Sequence, residues 1–309
     1  MNAITIIGSI NLDTNLRVKK IPRPGETVAA LEHYSAGGGK GANQALAAKR
    51  AGCQTFFIGA VGNDNVGKQM KQLLTLEEID SNGIMTQDNA TTGQAFITVD
   101  EHGENTITMY AGANESFTPE DVRKNSTIIQ QSDVIVAQFE SPIDSTIEAF
   151  TIAQQNGVKT ILNPAPAEKI PQELFTNSDL IVPNETETEV ITGISVNDEA
   201  SAKKAAEKLH NKGVAAVVIT MGSKGVFYDF AGKQGLVPAI TVTAADTTAA
   251  GDTFIGTMCK TLKRDFSNLE EAVTYGNIAS SLTVQRYGAQ PSIPYKNEID
   301  AQVEQQNKN

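Results

Sequence analysis

Ala3-Ile4-Thr5-Ile6-Ile7-Gly8-Ser9 is an almost unbroken apolar run close to the start of the chain. A strand buried on both faces reads this way, because neither face has water to meet and polar alternation is lost. Runs of the same type recur at residues 55–60, 134–137, 159–162, 180–182 and 216–220. Helical periodicity fills the gaps at residues 40–50, 66–76, 145–156 and 199–212. Strands and helices alternating at this spacing predict an α/β fold, a doubly wound and mostly parallel sheet with helices on both faces.

Two regions break the rhythm. Residues 17–34 and 93–111 read as short alternating strands, the second a hairpin turning at Asp100-Glu101-His102-Gly103-Glu104. They predict a small β-sheet standing off the main body, with a face that needs covering by a ligand or by a second copy of itself. No repeat, low-complexity tract or linker divides the chain, so residues 1–309 read as one domain carrying this sheet as a lid.

The chain has 309 residues, 40% of them hydrophobic and 20% charged, which suffices for one large core. A formal charge of −11 excludes the basic surfaces that nucleic acid and anionic membranes require. It does not exclude a nucleotide, because local backbone dipoles can override the global field. Cys53 and Cys259 lack metal-ligand spacing and read as free, buried thiols of a reducing compartment. Residues 1–8 carry no charged leader or long apolar run, and no window approaches a membrane span, so a cytoplasmic location is expected.

Asp246-Thr247-Thr248-Ala249-Ala250-Gly251-Asp252-Thr253-Phe254 places small residues and one carboxylate at the start of an apolar helix. The unbonded N–H groups of a first helical turn, with the positive end of the helix dipole, attract an anion. Asp252 in the same turn is stabilised as the anion and is a candidate base. An anion hole at Ala249, Ala250 and Gly251 beside a base suits transfer of a phosphoryl group onto a hydroxyl. An ordinary capped helix would show the same residues.

Other stretches are weaker alone. Gly37-Gly38-Gly39-Lys40-Gly41-Ala42-Asn43-Gln44 is either a close-approach loop with donors at Lys40 and Asn43 or a flexible turn. Asn11 and Asp13 follow the first buried strand, and Glu140 follows the run at 134–139, where open α/β sheets bind ligands. Pro183-Asn184-Glu185-Thr186-Glu187 reads as a capping box. Thr220-Met221-Gly222-Ser223-Lys224-Gly225 is by itself only a turn, and Arg286-Tyr287-Gly288-Ala289-Gln290-Pro291-Ser292 only a loop. Walker-type G-x-x-x-x-G-K-[ST], H-E-x-x-H and G-x-S-x-G patterns are absent.

Residues 246–254 resemble the signature of the ribokinase-like carbohydrate kinase family, Asp-Thr-x-Gly-Ala-Gly-Asp-Thr/Ser-Phe, with Ala249 where the family often has Gly. The glycine run at 37–41 resembles the family's first signature, and matches continue in order from Gly8 to Ser292. The resemblance implies ATP-dependent phosphorylation of D-ribose at its 5-hydroxyl, with Asp252 as base and Ala249, Ala250 and Gly251 as anion hole. It implies that Asn11, Asp13, Gly39, Lys40, Gly41, Asn43, Glu140 and Asp252 bind the sugar. Asn184, Thr220, Gly222, Ser223, Gly225, Gly251 and Asn277 would bind ATP, with Asn277 in place of a family histidine. Mg²⁺ would be held through water by Glu187. A monovalent cation, K⁺, would lie among Asp246, Thr248, Thr283, Arg286, Gly288 and Ser292. A homodimer through the lid is expected. A kinase for deoxyribose, fructose, a sugar acid or a nucleoside, and a non-catalytic sugar sensor, are the competing readings.

Overall fold

Ile4, Ile6 and Ile7 of the first strand are fully buried, and they alternate between two separate cores. Ile4 and Ile6 belong to one apolar cluster and Ile7 to the other. Val134 and Val136 against Ile135 and Ala137 divide in the same way, as do Ala216 and Val218 against Val217 and Ile219. A sheet whose alternate side chains enter two cores must be covered on both faces, which is the physical content of the apolar runs.

The computed structural model describes residues 2–306. Its strands are β1 (Ala3–Ile7), β2 (Asn11–Val18), β3 (Ala30–Gly38), β4 (Gln54–Gly62), β5 (Asp80–Gln87), β6 (Gly93–Val99) and β7 (Asn105–Tyr110). Then follow β8 (Val134–Ala137), β9 (Lys159–Leu162), β10 (Leu180–Ile181), β11 (Ala216–Thr220), β12 (Val226–Phe230) and β13 (Lys233–Val237). The main sheet has nine strands in the order β13-β12-β11-β10-β9-β8-β1-β4-β5. It is parallel from β11 to β5, and the β12–β13 hairpin adds two antiparallel strands at one edge.

The second sheet runs β3-β2-β6-β7. Its first strand begins at Asn11, six residues before the expected start, and pairs in parallel with β6. Residues 19–29 form no strand, since Pro22 and Pro24 lack ladder donors and Gly25 turns at a positive φ of 85°. Strand β5, with the sequence DSNGIMTQ, has little alternation and escapes sequence reading; it is an edge strand that pairs only with β4.

Helices Lys40–Arg50 and Ala250–Thr261 lie together on one face of the main sheet. Gly256 makes their approach possible, because a Cβ there would stand 2.4 Å from the Gln44 carbonyl oxygen and 2.7 Å from the Ala47 Cβ. That contact brings the first turn of one helix beside the first turn of the other.

Candidate active site

The first turns of those two helices supply the centre of the site. Asp252, only 8% exposed, receives hydrogen bonds from Asn43 Nδ2 and Gln44 Nε2, each at 3.0 Å. A carboxylate only accepts, so it fixes both amides with nitrogen inward. Gln44 Nε2 also donates to Asn163 Oδ1 at 3.1 Å, and Gln138 Nε2 donates to Gln44 Oε1 at 2.6 Å. Asn163 Nδ2 closes the chain on the Val182 carbonyl at 3.0 Å. The same orientation leaves Asn43 Oδ1 buried without a partner among the described residues, an acceptor awaiting a donor.

The backbone around Asp252 is open to an anion. Ala249 sits at φ 60° and ψ 9°, the left-handed region, and its carbonyl accepts from Thr253 N–H at 2.8 Å. Ala250 N–H leans on the Thr247 carbonyl at 3.2 Å, so within this structure the unspent N–H groups are those of Ala249, Gly251 and Asp252. A Cβ on Gly251 would meet nothing within 4 Å. These groups line a cavity of about 200 Å³ together with Lys40, Asn184, Glu187, Thr220 and Thr247.

Lys40 faces this cavity across from Asp252. Burial pulls its ammonium down, but the carboxylates of Asp252, Glu140 and Glu187 together hold it above the ordinary lysine value. Glu187 is raised by burial, opposed by the Asn184 backbone N–H and by Lys40. Its two oxygens accept from Asn184 N–H at 2.8 Å and Asn184 Nδ2 at 2.9 Å, so the capping box is real. The same carboxylate still lines the cavity, where its remaining lone pairs can hold water.

Glu140 works at a distance in sequence. Its Oε2 accepts from Ser9 Oγ at 2.6 Å and from Lys40 N–H at 2.9 Å, capping a helix whose own N-cap, Gly39, has no side chain. Gly39 lies at φ 88°, and a Cβ there would crowd the Ser9 carbonyl and Asn11 N–H. Gly41 approaches Ser9 equally closely. Asp13 packs over Gly38, and burial, reinforced by the charges of Glu140 and Asp252, pushes its carboxyl up to about 7. Asn11 shares this face of β2 with Asp13, two residues along the strand.

The expected nucleotide residues lie further along the C-terminal edge of the main sheet. Thr220 ends β11 and bridges to Asn184. Gly222 at φ 52° and Gly225 at φ 110° bound the turn carrying Ser223, and Lys224 Nζ ties it to Glu185 at 3.0 Å. Asn277 Nδ2 donates to the Pro238 carbonyl at 2.8 Å and lines a groove with residues 236–240. A larger hollow of about 780 Å³, lined by Phe230, Phe266 and Tyr275, touches none of the expected residues.

Asp246 joins the remaining two segments. Its Oδ1 accepts from Thr248 N–H at 2.9 Å and Thr248 Oγ1 at 2.6 Å, and its Oδ2 accepts from Gly288 N–H at 2.9 Å. Burial opposes the charge, yet these donors hold the carboxyl below its ordinary value. With the side chain so occupied, main-chain oxygens of Arg286, Gly288 and neighbouring residues remain for a hard monovalent cation, and that donor chemistry fits one. Thr283 Oγ1 bonds Thr253 Oγ1 at 3.1 Å and Ser292 Oγ bonds the Ala289 carbonyl at 2.6 Å, so both residues are part of the same scaffold. Among the described residues no group of three or more His, Cys, Asp and Glu is placed to hold a metal, and no helix is long and apolar enough to cross a membrane.

Gln44, Gln138, Asn163 and Asn114 were not legible as site residues. Gln44 sits in the glycine-run motif and Asn163 opens Asn163-Pro164-Ala165-Pro166, yet amides give no sequence signal that separates a buried network from a solvated surface.

Residues 1–296 match the family model described as pfkB family carbohydrate kinase. A ribokinase from Staphylococcus aureus is 46% identical over 300 residues, covering 97% of this chain and 99% of its own. A bifunctional ribokinase/ribose-5-phosphate isomerase A from Fructilactobacillus sanfranciscensis is 44% identical; there the chain spans only 56% of the relative's length. The solved structure of Arabidopsis thaliana ribokinase with ribose and ATP superimposes with a TM-score of 0.91 at 29% identity, covering 98% of each chain.

Proposed function

The chain belongs to the pfkB family of carbohydrate kinases, and on that premise we propose that it transfers the γ-phosphoryl group of ATP to the 5-hydroxyl of D-ribose, giving D-ribose 5-phosphate and ADP. The likeness to ribokinases over nearly the whole chain supports ribose and ATP as the pair of substrates. One observation carries the chemistry: a buried carboxylate, Asp252, is pinned by two amides beside unspent backbone N–H groups in an open cavity.

Ribose lies under the lid against Asn11, Asp13, Gly39, Lys40, Gly41, Asn43 and Glu140. Asp252 accepts the proton of the 5-hydroxyl as that oxygen attacks phosphorus and the bond to the ADP oxygen breaks. The N–H groups of Ala249 and Gly251 receive the charge growing on the phosphoryl oxygens, and Ala250 joins them if its bond to Thr247 yields. Positioning and electrostatic stabilisation do most of what phosphoryl transfer asks. Glu187 and Asn184 would hold Mg²⁺ through water, and the ion would neutralise phosphate charge. Asp246, Thr248, Thr283, Arg286, Gly288 and Ser292 would hold K⁺, whose charge would stiffen the two segments that aim the N–H groups. Adenine takes the groove beside Asn277 and the turn at Thr220, Gly222, Ser223 and Gly225.

A panel of pentoses, hexoses and nucleosides with Mg²⁺-ATP, read by mass spectrometry of the product, tests the substrate. Ribose 5-phosphate should dominate; absence of ADP release with every sugar would leave the sensor reading instead. Turnover in K⁺-free Tris should rise on adding KCl and not choline chloride, and a flat response removes the ion. Tyr34, Ile107 and Met109 are exposed on the face of the lid sheet that also carries Asp13, a surface suited to a two-fold contact with a second lid. Light scattering should therefore give a dimer, and a monomer at micromolar concentration sinks that assignment.

A further inference from the structure

Asn114 lies in the short 3₁₀ helix Gly112–Ser116 behind the lid sheet and is 2% exposed. Its Oδ1 accepts from the backbone N–H of Ile10 at 2.9 Å. A backbone N–H only donates, so this contact fixes which end of the Asn114 amide is oxygen. The other end, Nδ2, donates to the Ile10 carbonyl at 3.3 Å and to Asn11 Oδ1 at 2.8 Å. Asn11 must then hold its oxygen toward Asn114 and its nitrogen away. Among the described residues that nitrogen meets only the Met109 thioether sulfur, at 4.0 Å, which accepts weakly, so its donor capacity is unspent.

Gly93 makes the pairing possible. It stands opposite Asn11 in the β2–β6 ladder, and a Cβ there would lie 2.3 Å from both Asn11 Oδ1 and Asn114 Nδ2. Asp13, on the same face of β2, is an acceptor when charged. A hydroxyl carries one proton; once it donates that to a carboxylate it can only accept, and then requires an N–H. Asn11 with nitrogen outward and Asp13 two residues on form such a donor–acceptor pair, whereas Asn11 with oxygen outward would present two acceptors.

We infer that Asn114, seated by Gly93, is a positioning residue that sets the polarity of the Asn11 amide and thereby the preference for ribose over its 2-deoxy analogue. The inference rests on the assignment of Asn11 to a ribose hydroxyl, here the 2-hydroxyl. The loss of that hydroxyl leaves an oriented, buried N–H without a partner, which is how a polar site rejects a deoxy substrate.

Asn114→Asp tests this most directly. A carboxylate still accepts from Ile10 N–H but offers Asn11 an acceptor, so the Asn11 amide turns over. KM for ribose should rise about 10- to 100-fold, with kcat and the KM for ATP within about threefold. Activity on 2-deoxyribose should change by less than about threefold, so the preference for ribose collapses. Gly93→Ala, which wedges the two amides apart, should act in the same sense and serves if the first variant fails to fold. Asn11→Ala measured alongside separates the levels. If it abolishes the ribose preference while Asn114→Asp and Gly93→Ala retain it, the polarity inference is overturned alone. If Asn11→Ala leaves the preference intact, the sugar assignment falls and the inference with it. Equal losses on ribose, 2-deoxyribose and ATP in Asn114→Asp would also overturn it, since that pattern marks a merely structural residue.

Discussion

On the side of the cavity that we assign to the sugar, side chains make the site: Glu140 and Asp252 act on both the buried Asp13 carboxyl and the Lys40 ammonium, and Asn43 donates to Asp252. On the phosphate side the main chain makes it, through N–H groups at Ala249, Gly251 and Asp252 that small residues leave uncovered. The two sides therefore answer differently to substitution. The first is sensitive to the identity and charge of a side chain, the second to added volume and to φ. On the proposed binding mode Asp252 belongs to both, its N–H serving the phosphate side and its carboxylate the sugar side.

The sharpest break in that comparison is Asp252→Asn, which keeps the backbone donor and removes the carboxylate. Turnover should fall by about 10²–10⁴, the usual worth of a positioned proton transfer, with ATP and ribose affinities within a few-fold of wild type. Rapid-quench measurement of the chemical step checks this, and a near-normal rate would take Asp252 out of the mechanism.

Gly251→Ala probes the phosphate side by volume alone. The added methyl meets no protein atom within 4 Å and sits in a first helical turn, so the fold should be unharmed or gain up to about 1 kcal/mol. The same methyl occupies the phosphate's approach, and kcat/KM for ATP should drop on the order of 10²-fold. A stable variant with wild-type kinetics would move the phosphate elsewhere.

The sugar side should instead be read by pH. In the empty site the Asp13 carboxyl stands at about 7 against its ordinary 3.8, so it is protonated below neutrality. On the proposed role of Asp13, ribose hydroxyls donate to the charged form, so binding should favour the anion and release a proton. Ribose affinity should weaken by up to about tenfold per pH unit below 7 and level off above it. Linkage has the matching sign: between about 4 and 7 the folded protein binds more protons than the unfolded chain, so ligand-free stability falls as pH rises through that window. Calorimetry in buffers of different ionisation enthalpy gives the proton count, and Asp13→Asn should flatten the profile. A pH-independent affinity in the unaltered protein would detach Asp13 from the sugar.

How much of this was legible in the sequence follows the same division. The main sheet was written in runs such as residues 134–137 and 216–220, because burial on both faces leaves an uninterrupted apolar signal. The lid was found by its alternation but not bounded by it. Asn11 and Asp13 are polar residues on an inward face, and alternation cannot tell an inward polar face from an outward one. The phosphate side was legible as a cluster of small residues before an apolar helix. What stayed hidden were partnerships across distance: Glu140 capping the Lys40 helix from the bend after β8, Gln44 and Gln138 behind Asp252, Asn114 behind Asn11. Each depends on helix and strand approach, set by glycines such as Gly256 and Gly93, which a single sequence does not place in space.

Ala249 gives the smallest and most local test of the phosphate side. It holds φ 60°, where its Cβ crowds the following carbonyl, at a position where the family signature has glycine. A non-glycine residue in this region carries roughly 1–2 kcal/mol of strain. Ala249→Gly relieves that strain but adds freedom to the unfolded chain, a loss of about 0.5–1 kcal/mol. The balance should be a gain of up to about 1.5 kcal/mol, and for a chain of this length a rise in Tm of up to roughly 3 °C. Because the N–H is kept and glycine adopts the same left-handed φ without strain, kcat should stay within about twofold. Scanning calorimetry with parallel kinetics reads both quantities. A lower Tm would mean that the methyl makes contacts outweighing the strain, and a large loss of kcat would mean that Ala249, rather than tolerating the turn, is what keeps its N–H aimed at the phosphate.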